Sequence, residues 1–152
     1  MNSTDEKAIS TVQKPVQKEE SKQMISEKQF SIAVAEALKY LDNPKKLLKS
    51  PLLLSRFYKK EALEDNEIHK AILLTDAIIK NINRFEYSVK YQSYFRLLYR
   101  TYINPVGTQM ETADFLCLSF STYRRQLKNA IQWIADILWV EEKRLCLNLQ
   151  MN

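Results

Sequence analysis

A chain of 152 residues with one glycine has few means of building a β-sheet from tight hairpins. The favoured two-residue hairpin turns need positive φ, which glycine adopts without steric cost. Only Gly107 is available, alongside four prolines. Leu, Ile, Lys, Gln, Glu and Ala dominate, a set that leans to helix. Apolar residues make up 45% of the chain, enough to bury a core. The expected fold class is therefore all-α.

Residues 1–28 carry five cations, five anions and few large apolar side chains. Such a segment buries too little to offset its ordering entropy, so a disordered tail is expected. From Gln29 the pattern turns helical. "FSIAVAEALKYL" puts Phe30, Val34, Ala37, Leu38 and Leu41 on one face. Asn43-Pro44 ends that helix and starts another, with Pro at its first position. "EIHKAILLTDAIIKNI" predicts a stripe of Ile68, Ile72, Thr75, Ile79 and Ile82. Residues 29–85 are expected as a small helical domain.

A second unit is expected over 86–152. "SVKYQSYFRLLYRTYI" predicts a helix with Tyr91, Tyr94, Phe95, Leu98 and Tyr102 facing the core. "NPVG" stops it, and Thr108 with Glu111 forms a capping box for a short helix ending near Leu116. Ser119 then caps a long final helix, in which Phe120, Tyr123, Leu127, Ile131, Ile134 and Leu138 share a face. Trp133 and Trp139 fall on different sides of that stripe. One of them is expected to meet either the 29–82 unit or a second copy in a homodimer.

The spacing from Gln109 is that of a helix-turn-helix. Ala113 is the small residue where two helices cross closely, Leu118 the apolar residue of the turn, and Tyr123 the anchor that returns the second helix to the core. Cys117 stands where glycine is usual, so the turn must accept positive φ at a non-glycine residue. Ser121, Arg124, Arg125 and Lys128 lie opposite the apolar stripe, with Thr122 beside them. No acid occurs between Asp114 and Asp136. Arginine pairs bidentately with guanine in the major groove, while Ser and Thr reach bases or phosphates. The other reading of this face is the solvated side of a bundle helix.

"YFRLLYRTYINPVGTQMETADFLCLSFSTYRRQLKNAIQWIADIL" resembles region 4 of the sigma-70 type transcription factors. The likeness covers roughly residues 88–140, about a third of the chain, and Ala130-Ile131 and Ile134 match the stretch that ends such modules. "AEALKYLDNPKKLLKSPLL" also resembles the segment that precedes this motif in a little-characterised group of bacterial regulator-like modules. The resemblance implies a fold and a duplex-DNA surface rather than sigma activity. With it, Thr108, Gln109, Ser119, Ser121, Thr122, Arg124, Arg125 and Lys128 are the expected DNA-binding residues. The start of the Thr108 helix is expected to hold a phosphate.

Net charge is +5 with pI ≈ 9.1, compatible with a polyanionic partner. Six cations and no acid lie between Asn43 and Lys60. Of these, Lys45, Lys46, Lys49, Lys59 and Lys60 are expected as secondary phosphate contacts, or else as a solvated fringe around Leu47, Leu48 and Leu52–Leu54. The rival function is a non-enzymatic adaptor, docking on RNA polymerase or another chain and burying Trp139.

Other chemistries find little support. One glycine excludes Gly-rich phosphate loops, and His69 with two distant cysteines makes no standard zinc site. The acid pairs Glu19-Glu20, Glu64-Asp65 and Glu141-Glu142 sit in polar runs and are expected to be solvated. No enzyme, cofactor or metal is expected. Cys117 and Cys146 are expected as reduced, buried thiols, which suits the cytoplasm. Neither a signal peptide nor a membrane span is expected.

Overall fold

The structure, a computed structural model, describes residues 25–58 and 66–151. Residues 1–24 of the expected tail lie outside the described residues. So do Glu64, Asp65, Lys59 and Lys60. Among the described residues every regular element is helical: α1 Glu27–Leu38, α2 Pro44–Leu47, a 3₁₀ turn Pro51–Leu54, α3 Glu67–Asn83, α4 Gln92–Leu98 running into a π-helical turn Tyr99–Ile103, α5 Gln109–Phe115 and α6 Phe120–Met151. The all-α expectation holds.

Most of these helix starts have a local chemical cause, the start of α4 being without a side-chain cap. Ser26 and Gln29 form a capping box, the Ser26 hydroxyl accepting from the Gln29 N–H at 3.2 Å and the Gln29 side chain accepting from the Ser26 N–H at 3.0 Å. The first helix therefore starts at Glu27, inside the stretch that composition marked as tail, on a Ser-x-x-Gln signal that composition does not show. Asn43 caps α2 with Pro44 behind it, Ser50 caps the 3₁₀ turn, and Asn66 caps α3. The predicted helix over 88–103 starts later, at Gln92, after a loop that exposes Tyr87 and Val89.

On α1 the expected face is the buried one: Phe30, Val34, Ala37 and Leu38, continued by Leu41. On α3 the stripe is rotated. Ala71, Leu74, Ile78 and Ile82 are buried, while Ile68 and Ile72 are exposed. Both flanks of α3 carry apolar residues at helical spacing, so periodicity alone selects no single stripe.

The long helix α6 is the spine. At 1.5 Å per residue its 32 residues span about 48 Å. It lies against α1 and α4 and also meets α3 and α5. Tyr123, Leu127, Ala130, Ile134, Ala135 and Leu138 are buried along it, in one continuous core with the α1 and α3 faces. Trp139 packs on Phe30 of α1, with ring centroids 5.1 Å apart. Trp133 sits among Phe85 (4.7 Å), Tyr91 (5.2 Å) and Tyr94 (5.5 Å). Both indoles are thus packed within the chain, and the 29–85 and 86–152 stretches share one core.

Glu142 departs from its expected place in a solvated patch: it is buried. The Arg56 N–H donates to both its carboxylate oxygens (2.9 and 2.7 Å), and the Phe57 N–H donates to one at 3.0 Å. A carboxylate at helical position 142 is therefore the cap for a loop 85 residues earlier in the chain. Its neighbour Glu141 follows the surface pattern, pairing with Arg144 at 2.6 Å. The cysteines also differ from expectation, since Cys117 is exposed and Cys146 only half-buried. Burial pushes the Cys146 thiol up, and the Glu142 charge beside it adds to that.

Replacing Glu142 with Ala leaves the buried Phe57 N–H and the part-buried Arg56 N–H without their acceptor. A loss of about 2 kcal/mol is expected, read as a lower urea midpoint. Glu142→Gln, which keeps an acceptor oxygen, should lose less.

Candidate nucleic-acid interface

The motif is assembled by α5, a four-residue connection and the start of α6. Ala113 is fully buried at the crossing, and Leu118 packs on the core from the turn. The turn closes through backbone hydrogen bonds from the Cys117 N–H to the Asp114 carbonyl (3.0 Å) and from the Leu118 N–H to the Ala113 carbonyl (2.9 Å). Cys117 has φ 59°, the left-handed conformation that its place in the turn requires. The Ser119 hydroxyl caps α6, accepting from the Thr122 N–H at 3.3 Å and donating to the Thr122 hydroxyl at 2.8 Å. Ser119 and half-buried Thr122 are thereby committed to each other. Their first role is to set the start of α6.

The opposite face is wet. Ser121, Arg124, Arg125 and Lys128 are all exposed, while Tyr123 and Leu127 are buried behind them. Among the described residues no carboxylate pairs with these three cations. The structure therefore groups four of the eight expected residues on one surface over two turns of helix.

Phe120 was expected in the core and is 38% exposed. As the first residue of α6 it lies beyond the helices that cover the later turns. It still has a fixed seat. Its ring stacks on Tyr123 (centroids 6.4 Å, planes 24° apart), and the Arg124 guanidinium lies 5.7 Å from the ring centroid. Tyr123 is held in turn by Thr101 of the π-helical turn, with the two hydroxyl oxygens 2.7 Å apart. Sequence periodicity had no means of finding this chain, because the Thr101–Tyr123 contact joins residues 22 apart through a π-helical turn. Arg100, in the same turn, lies over the exposed Phe115 ring at 4.9 Å.

The start of α5 is differently equipped. Thr108 accepts from the Glu111 N–H at 3.2 Å and donates to the Glu111 carboxylate at 3.1 Å. A Cβ on Gly107 would stand 2.6 Å from the Glu111 Oε2, so the lone glycine, at φ 141°, makes room for that carboxylate. An anion of the protein's own already occupies the dipole's positive end, where a phosphate was expected. Thr108 and Gln109 remain exposed beside it.

Lys45, Lys46 and Lys49 are exposed on and just after α2, which packs against α3. Lys46 lies over the Tyr40 ring at 4.6 Å. Lys46 and Lys49 rim a groove of about 660 Å³ floored by Ile25, Ile32, Ala33 and Leu47. These lysines thus border an apolar groove on another part of the molecule rather than extending the α6 face.

Comparison with protein-family models, with curated proteins and with solved structures finds no match. Among the described residues no helix is long and apolar enough to cross a membrane, and no three potential metal ligands cluster.

Two stability effects follow from this geometry. A non-glycine residue in the left-handed region costs about 1 kcal/mol, so Cys117→Gly should raise the thermal midpoint or leave it unchanged, never lower it markedly. Burial, with the Tyr123 phenol adding, pushes Tyr102 up from 10 to about 12. The folded state thus holds that proton where the unfolded chain has lost it. Stability is complete below pH 10 and declines as pH rises from 10 towards about 12. Tyr102→Phe should flatten that decline in urea titrations taken across the same window.

Proposed function

We propose that this protein binds duplex DNA, placing the N-terminal turns of α6 in the major groove as a transcriptional regulator. The observation that supports the reading best is the exposed quartet Ser121, Arg124, Arg125 and Lys128. It stands on a helix-turn-helix whose turn residue, Cys117, has the required positive φ. Arg124 and Arg125 then reach base edges or phosphates, Lys128 a phosphate further along, and Ser121 the groove wall. The resemblance to sigma region 4 points the same way. In the rival reading, as an adaptor on RNA polymerase, Trp139 anchors a partner; that ring is already packed on Phe30. Trp139 equally supplies no reason for a homodimer.

The test is fluorescence-polarisation binding to random duplex DNA over a salt series. With about three phosphate contacts, log K should fall against log salt with a slope near −3. Arg124→Ala/Arg125→Ala should weaken binding by about 30-fold or more while the helical circular-dichroism signal is retained. Equal binding by both proteins, or none by either at low salt, refutes the assignment.

A further inference from the structure

We infer that the α6 face reads a thymine methyl group next to a guanine, through Phe120 and Arg124 acting as a preassembled pair; this rests on the DNA-binding reading above. Phe120 and Arg124 are four residues apart and therefore neighbours on one helix face. Phe120 is a large apolar ring left 38% exposed at the first position of that face. In the major groove a ring so placed has a specific ligand, because the thymine C5 methyl is the apolar feature that distinguishes T·A from the other pairs.

The ring is held from behind. Thr101 fixes the buried Tyr123 by a hydroxyl pair at 2.7 Å, Tyr123 stacks under Phe120, and the Arg124 guanidinium lies on Phe120 at 5.7 Å. With no carboxylate partner among the described residues, the guanidinium keeps its donors free for the O6 and N7 of guanine. The guanidinium lies 5.7 Å from the ring centroid, so both groups reach one local stretch of the groove. An arginine already seated on a ring also loses less freedom on binding than a free one.

The experiment starts by selecting preferred sites from a randomised duplex pool with the wild-type chain. Affinity is then measured on the selected duplex with each thymine replaced in turn by deoxyuridine, which lacks only the methyl. One thymine beside a guanine should be sensitive, its replacement weakening binding about fourfold, the value of one buried methyl group. Phe120→Ala should bind the dT and dU duplexes alike. Arg124→Ala should lose discrimination against 7-deazaguanine at the adjacent base while still preferring dT to dU. If wild type binds duplex DNA with steep salt dependence but no thymine replacement matters, this inference is overturned and the DNA-binding reading stands. Absence of binding to any duplex overturns both. The wild-type dT/dU comparison needs no variant, so the outcome does not depend on Phe120→Ala folding.

Discussion

The burial of one stripe of α6 is the contact on which the other elements depend. Tyr123, Leu127, Ala130, Ile134 and Leu138 recur at helical spacing and leave almost no accessible surface. Side chains the size of Leu127, Ile134 and Leu138 contribute about 1.5–3 kcal/mol each when fully buried. The stripe serves different neighbours along its length. Near its start it receives the π-helical turn through Thr101 and Tyr123. Further along it seats Trp133 among Phe85, Tyr91 and Tyr94. Towards its end, Trp139 meets Phe30 and Glu142 collects the N–H groups of Arg56 and Phe57. The helix that offers a basic face at one end is therefore the same rigid body that organises α1 and the loop before α3.

Much of this was legible in local sequence because its causes are local. Caps at Asn43, Thr108 and Ser119 act over three residues, and their donors and acceptors stand side by side in the chain. The left-handed Cys117 followed from its place in a turn with a known backbone path. The α1 face was equally plain, because Phe30, Val34, Ala37 and Leu38 have no large apolar rival on the opposite side except Ile32. What stayed hidden was long-range. Nothing near Glu142 announces that two amides 85 and 86 residues away will meet its carboxylate. The polar run "EEKR" argued for solvent, and for Glu141 that argument was sound.

Phe120 and the α3 stripe were misread for a related reason. Hydrophobic periodicity states which residues share a face but not where the neighbouring helices end. On α3 two apolar flanks compete, and packing against the 3₁₀ turn and α2 selected Ala71, Leu74, Ile78 and Ile82. At Phe120 the periodic face simply outruns its cover. At the open end of a buried stripe an apolar residue meets solvent.

On the proposed DNA-binding reading, that transition bears on how a basic face discriminates rather than merely attracts. Exposed lysines and arginines on a helix give a salt-dependent affinity for any polyanion. Among the described residues Arg125 and Lys128 have no ring contact, so the core does not constrain their approach. Arg124 differs because its approach is constrained by Phe120, Phe120 by Tyr123, and Tyr123 by a hydroxyl on another element. The π-helical turn has a part in this arrangement: its wider hydrogen bond, from the Asn104 N–H to the Tyr99 carbonyl at 2.7 Å, accompanies the placement of Thr101 against Tyr123. Meanwhile the Glu111 carboxylate sits at the start of α5, held by the Thr108 hydroxyl. The balance of attraction and geometry on this face thus shifts towards the first turn of α6, where orientation is set by the core itself.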